Sequence, residues 1–279
     1  QYLAMASTDG GNSDIWVHSL KKNTTTRLTF SPEDEVMPVW TRDGRHIFFG
    51  STGGISWIPA DGSGSAQRLL EFKNSFSSIS LSPDGKRLAY SHVAPQTNYD
   101  IWTVPIHWNP AGIPQAGKPE PFHATAFAEF HPAFSPEGRW LAYVSAEFGA
   151  AEVFVRPAPG SASKASGGKW QISKGGARMP RWSPNRRELF YRTEDFQLMV
   201  VDYEVKGDSF IPGTPRAWST QRIPAVGAAY NFDITPDGKR FAVVVPPDAP
   251  DAGNQQSHVT YLQNFFDDVR RKIKQSGSQ

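Results

Sequence analysis

Seven histidines, His18, His46, His92, His107, His123, His131 and His258, have the widest chemical range of any side chains here, since imidazole can take a proton, give one or ligate a metal near neutral pH. No two of them have the H-E-x-x-H spacing that sets both ring nitrogens on one helix face, so no linear zinc motif is present and no metal or cofactor is expected. A serine nucleophile fares no better. Gly11-Asn12-Ser13 and Gly207-Asp208-Ser209 both lack the closing glycine of G-x-S-x-G and suit hairpin loops, where serine supplies turn hydrogen bonds. The chain has no cysteine, which removes thiolate chemistry and disulfides together and leaves the redox compartment open.

Carboxylates cluster at Glu33, Asp34 and Glu35, but no partner carboxylate stands at a separation that would cleave a glycoside, and the run suits a solvated loop. Asp9-Gly10-Gly11-Asn12-Ser13-Asp14 starts like a calcium loop and departs from the twelve-residue pattern after the first positions. Arg178, Arg181, Arg186, Arg187 and Arg192 crowd one region, where strand alternation should split them between two faces and a turn. No catalytic residue is assigned.

The elements that must position these groups come from a phrase that returns five times: WTRDGRHIFFGS from Trp40, LSPDGKRLAYSH from Leu81, FSPEGRWLAYVS from Phe134, WSPNRRELFYRT from Trp182 and ITPDGKRFAVVV from Ile234. Proline presets φ near −65° and glycine accepts φ > 0, so each copy is a hairpin corner between two strands. A third strand follows (DIWVHSL from Asp14, DIWTVPI from Asp100, EVFVRPA from Glu152) and a fourth after a polar loop. Four antiparallel strands make a propeller blade, and a unit that cannot bury its faces alone must stack on copies of itself. Six second-strand segments against five turns predict an all-β, six-bladed β-propeller whose first blade is truncated at its N-terminal side, the missing inner strand lying upstream of Gln1. The propeller should span 1–264. Phe265, Val269 and Ile273 recur at helical spacing, which predicts a short C-terminal helix and tail over 265–279.

The phrases SPDGKRLAYS and DIWTVPI at these offsets resemble the WD40-like (PD40) repeat of TolB-like six-bladed propellers. The ending HVTYLQNFFDDVRRK is similar to the tail of propellers fused behind bacterial serine/threonine kinase domains or winged-helix regulators. The resemblance implies a bacterial sensor or protein-binding module in signalling, joined to upstream domains and usually placed outside the cytoplasmic membrane, in the periplasm. A cytoplasmic location is the alternative. No kinase motif is present in the chain itself.

Inner strands line a propeller's channel, so the candidate ligand-binding residues at its mouth are Glu35, Glu129, His131, Arg178, Tyr230 and Asn231. His131 aligns in the repeat with Met37, Ser78, Met179 and Asn231. Mixed charge beside aromatic surface suits a small polar ligand, a peptide or a protein partner. If these side chains only line the channel, replacing Glu129 and His131 by alanine should leave folding nearly intact. A net charge of +2 from 29 basic and 27 acidic residues draws the chain neither to nucleic acid nor to an anionic membrane, and no apolar run reaches the roughly 20 residues of a span. Three functions fit: a non-catalytic binding domain, a propeller glycosidase or lyase with groups converging from several blades, and a structural module of an envelope complex. Long loops at His92–Asp100, Pro159–Gly168 and Val245–Ser257 are where specificity would concentrate.

Overall fold

The computed structural model of the chain describes residues 2–8, 11–73, 76–94, 98–161, 168–224, 230–245 and 258–262. Its first sheet holds β1 (Tyr2–Thr8), β2 (Ser13–Ser19) and β3 (Thr24–Arg27), all antiparallel. The second holds β4 (Glu35–Trp40), β5 (His46–Ser51), β6 (Gly54–Pro59) and β7 (Gln67–Glu71). The third runs from β8 (Phe76–Leu81) and β9 (Arg87–Ala94) to a long β10 (Asn98–Trp108), which pairs with both β11 (Pro114–Ala116) and β12 (Glu120–His123). In the fourth are β13 (Glu129–Phe134), β14 (Trp140–Phe148), β15 (Ala150–Pro157) and β16 (Trp170–Gln171). The fifth comprises β17 (Ala177–Trp182), β18 (Glu188–Thr193) and β19 (Gln197–Lys206), with β20 (Ser209–Pro212) and β21 (Arg216–Arg222) both on β19. The last contains β22 (Phe232–Ile234), β23 (Phe241–Val245) and β24 (His258–Leu262).

The repeated phrase makes the corner joining the first two strands of a sheet. In the second sheet the Thr41 N–H donates to the His46 carbonyl at 2.9 Å and Gly44 takes φ 70°, and the same ladder recurs at Ser82/Arg87 with Gly85 at φ 68°. The conserved geometry also explains the aspartate. Asp43 Oδ1 accepts from the Thr41 hydroxyl (2.6 Å) and the Arg45 N–H (3.1 Å), and Asp84 does the same with Ser82 and Lys86. The Thr41 hydroxyl, ahead of the smaller contributions, holds the Asp43 carboxyl below its usual range.

Hydrophobic packing falls between successive sheets. Ile15 and Val17 meet Ile47, Phe49 and Ile58, while Phe48 on the same strand points the other way, to Ile79, Leu88 and Tyr90. That is why β5 reads as an unbroken apolar run rather than an alternation: both of its faces are covered. Leu141, Tyr143 and Phe154 pack on Ala89 and Ile101, Trp140 and Val153 on Trp182 and Phe210, and Phe190 and Val200 on Phe232 and Phe241. At the centre the first strands touch one another, β4 with β8, β8 with β13 and β13 with β17. Sheets stacked face to face around touching inner strands are a β-propeller.

The expected count needs correction. Among the described residues five sheets carry the inner strand and turn that define a blade, which gives five blades rather than six, and four of these have four strands or more. The sheet β1–β3 lacks an inner strand among the described residues and stands against β4, burying Ile15 and Val17 on the second sheet instead of completing a unit of its own. The helix expected over 265–279, and the domain boundary at 264, lie outside the described residues, as do most of the loops 159–168 and 245–257. Among the described residues no helix is long and apolar enough to cross a membrane.

Candidate functional site

The inner strands do not keep the strict alternation expected of them. Pairing slips between Val36 and Val39, between Phe130 and Ala133, and between Arg178 and Arg181, and at each slip one residue adopts a left-handed backbone: Met37 (φ 57°), His131 (φ 55°) and Met179 (φ 58°). Each precedes a proline, Pro38, Pro132 or Pro180, which has no N–H to give the ladder, so an unpaired bulge forms there at small cost. At its bulge His131 touches the inner strands on both sides. Its N–H donates to Ser78 Oγ on β8 (3.1 Å) and its Nδ1 accepts the Met179 N–H on β17 (3.4 Å). His131 is only 5% exposed. Burial, reinforced by the charges of Arg181, Arg178 and Arg192, pushes its pKa down to about 3, so the ring is neutral at neutral pH.

Around this imidazole three blades deliver aromatic rings and guanidinium groups. The Tyr230 ring centre lies 4.7 Å from that of His131, and the Phe130 ring 4.9 Å away, edge to face. Arg181 sits over Tyr230 at 3.6 Å and pairs with Asp233 at 3.3 Å. Arg178 lies 5.2 Å over Phe130 and donates from Nε to Glu194 Oε1 at 2.8 Å. Arg192, directly opposite Arg178 in the β17–β18 ladder, is buried and donates from Nη1 to Asn231 Oδ1 at 3.0 Å. Asn231 is held in that orientation because its amide donates to the Pro224 and Val244 carbonyls, at 2.6 and 3.1 Å. Burial raises the Tyr230 phenol to about 12, with the Arg181 charge working against it.

Of the six expected residues, the structure thus brings His131, Arg178, Tyr230 and Asn231 to one corner and leaves the two carboxylates elsewhere. Glu129 is fully buried and turned to Thr125, whose hydroxyl and N–H both donate to it, the N–H at 3.3 Å. Burial raises its pKa against those hydrogen bonds, and nearby Asp100 adds to the rise. Glu35 is buried beside Asp14 and Thr29 in the seam between the first two sheets, and burial raises its pKa as well. It is not in a solvated loop. Arg181 and Arg192, which the sequence offers only as members of an arginine cluster split between faces, and Phe130 join the corner as well. The slip between Arg178 and Arg181 sets Arg178 opposite Arg192, where spacing from the turn alone would have set it opposite Thr193.

Among the described residues no group of three or more His, Asp or Glu side chains could hold a metal ion. At the opposite end of the strands, a concavity of about 850 Å³ opens between the hairpin corners of the third and fourth sheets, lined by residues including Asp84, Lys86, Arg87, Glu137, Arg139 and Asp208. Its charges are already matched in part, Arg139 to Asp208 at 2.8 Å and Arg87 to Glu120 at 3.7 Å.

Structural comparison finds the same architecture in TolB from Acinetobacter baumannii, at a TM-score of 0.62 over 94% of this chain and 61% of that one, with 13% identity. The fold is a β-propeller with TolB among its structural neighbours. A puromycin-hydrolyzing peptidase of Mycobacterium tuberculosis matches at a TM-score of 0.58 and 12% identity, over 95% of this chain and 42% of that one. Oligogalacturonate lyase from Vibrio parahaemolyticus matches at 0.56 and 12% identity, over 94% of this chain and 72% of that one. The chain therefore spans less than two thirds of the first two propeller proteins, and identities this low speak for the fold alone. No family model matches the chain, and no curated protein matches it.

Proposed function

We propose that this chain is a non-catalytic binding domain, the sensor or interaction part of a larger bacterial signalling protein placed outside the cytoplasmic membrane, and that it takes a small polar ligand, peptide or protein group at the His131–Tyr230 corner. The observation that carries this reading is the convergence of Arg178, Arg181, Arg192, His131 and Tyr230 from three blades on one place. Positive charge there is set against aromatic faces, the composition of a recognition site with a polar anchor and an apolar wall. Catalysis would need an acid or base with a proton path. The neutral imidazole is engaged by a backbone N–H and the two buried carboxylates point elsewhere, which favours binding over turnover.

The test is a panel of acidic, basic and neutral peptides and small molecules, read by the shift in melting temperature and by calorimetry, with the Arg178→Ala variant alongside. A ligand that binds only the folded chain raises its stability in step with concentration. At least one class should do so in the wild type and lose the effect in the variant. Binding indifferent to Arg178, or chemical turnover of any member of the panel, would overturn the reading.

A further inference from the structure

We infer that the corner holds a carboxylate subsite, anchored by Arg192, for a ligand whose acid group sits on an aromatic or apolar body. The inference rests on the binding function proposed above and names the ligand class. Three guanidinium groups share the corner, and two of them have carboxylate partners, Arg178 with Glu194 and Arg181 with Asp233. Arg192 has none within 4 Å among the described residues, although it is only 5% exposed. Its Nε is buried without a hydrogen-bond partner. A buried cation without a carboxylate in contact is costly: burial works against the Arg192 charge, Glu194, already paired with Arg178, offsets only part of that, and the cross-strand opposition of Arg178 adds to the cost.

The remaining unsatisfied groups are donors too. The Tyr230 hydroxyl, beside the Arg181 guanidinium, is buried with no acceptor for its own proton among the described residues. Because His131 Nδ1 accepts from Met179, the imidazole proton belongs on Nε2, for which no partner is found among the described residues. Meanwhile Asn231, locked by two carbonyls, grips one end of the Arg192 guanidinium and fixes its plane. A preorganised guanidinium edge, with neutral donors in the same corner, is complementary to a group that only accepts, and one excess positive charge matches a monoanion. Phe130, Phe196 and Tyr230 supply the wall, Phe196 lying under the Arg192 guanidinium at 5.5 Å. Carboxylates of this kind come from two sources, a small aromatic acid and the C-terminus of a peptide ending in an aromatic residue.

The experiment uses the whole chain and three probes at matched ionic strength: phenylacetate, the tetrapeptide Ala-Ala-Ala-Phe as the free acid, and the same peptide as its amide. Calorimetry should show both acids binding and the amide weaker by about tenfold or more, since a buried charge pair that is lost weakens binding by at least that factor. A free peptide acid that outbinds phenylacetate marks the peptide end as the source, and the reverse order marks the small acid; either supports the subsite. Arg192→Met should lose acid binding, and its melting without ligand is the folding control, since it removes a buried charge but also strands Asn231 Oδ1. Should that variant fail to fold, Tyr230→Phe, which removes one hydroxyl, should still weaken both acids and leave the amide unchanged. Equal binding of acid and amide, or acid binding untouched in both variants, overturns the subsite. If neutral probes bind the corner and acids do not, the carboxylate assignment falls and the binding function stands; if nothing binds at all, both fall.

Discussion

The Met179 N–H points at Nδ1 of His131 across 3.4 Å, so the inner strand of one blade is tied to the next through an imidazole nitrogen that must carry no proton. The other side of the residue completes the link, since its own N–H donates to Ser78 Oγ in the preceding blade. A position aligned in the repeat as a channel row is therefore a staple between three blades.

Acid should loosen that staple. With the folded pKa of His131 near 3 and an unfolded value near 6.5, the unfolded chain binds a proton that the native state refuses throughout that window. Stability is then full above pH 6.5 and falls as pH drops towards 3, at up to about 1.4 kcal/mol per pH unit for this one group. His123, pushed down to about 4 by burial, acts in the same direction over a narrower window. Glu35 and Glu129 act oppositely: their raised native pKa values give stability that is present below the unfolded value and lost as pH rises through the native one. Urea denaturation between pH 7 and 5, above most of the carboxylate range, should show the histidine slope, and His131→Gln should flatten it. Equal slopes in the two proteins would refute the assignment.

Replacing Glu129 and His131 by alanine should consequently unfold a large fraction of the chain rather than leave it intact, reversing the expectation drawn from the repeat alone. Both side chains are buried, and each removal strands hydrogen-bonding groups, the Thr125 hydroxyl and N–H in one case and the Met179 N–H in the other, while the backbone bond from His131 to Ser78 survives. About 1–3 kcal/mol per stranded buried group makes the double variant several kcal/mol less stable. Thermal melts of the single and double variants check this, and a native-like double variant would show that the seam tolerates its loss.

Trp182 joins the same seam further along, donating from its indole N–H to the Ala133 carbonyl at 2.9 Å and meeting Tyr203 and Phe210 edge to face. Trp182→Ala should cost about 3–5 kcal/mol, the range for a large aromatic lost from a packed site. Trp40, at the equivalent repeat position, is only half-buried, and its alanine variant should cost distinctly less. Chemical denaturation of the pair gives the comparison, with equal losses contradicting it.

Gly50 offers a sterically sharper case. A Cβ built on it would lie 1.6 Å from Cζ of Phe76, the first residue of the neighbouring inner strand, so Gly50→Ala must push that ring aside. Overpacking of this kind costs about 1–3 kcal/mol. Phe76→Leu in the same chain should recover part of the loss, and a double-mutant cycle with no coupling would contradict the contact.

How far the sequence reached follows from which rule each residue obeys. Pro-Asp-Gly corners and apolar second strands are local signals, and Asp43, Gly44 and Phe48 behave as turn chemistry and burial require. The blade count failed because β1–β3 contains second, third and fourth strands without a corner, and counting strands treated it as a unit. At the site, period-two alternation broke at the bulges of Met37, His131 and Met179, where one extra residue changes which side chains face the seam. Glu35 and Glu129 share a strand position but were carried into separate seams by Thr29 and Thr125, contacts that no spacing rule anticipates. The opposition of Arg178 and Arg192 depends on ladder register, which a sequence specifies only once the bulge is known.

That register leads to a prediction about salt. Arg178 and Arg192 face each other across the β17–β18 ladder, and Glu194 is the carboxylate that offsets their repulsion, pairing with Arg178 at 2.8 Å. The pair is half-exposed, so its own attraction is worth no more than about 1 kcal/mol. Glu194→Gln removes that attraction and uncovers the like-charge opposition, for a combined loss of about 0.5–1.5 kcal/mol at low salt. Added salt screens exposed charges over about 10 Å at 0.1 M and about 3 Å at 1 M. The gap between wild type and variant should therefore shrink as sodium chloride rises, and removing Arg178 as well (Glu194→Gln with Arg178→Gln) should close most of it at every concentration. A gap that ignores salt and survives the second substitution would mean that Glu194 acts through packing rather than charge.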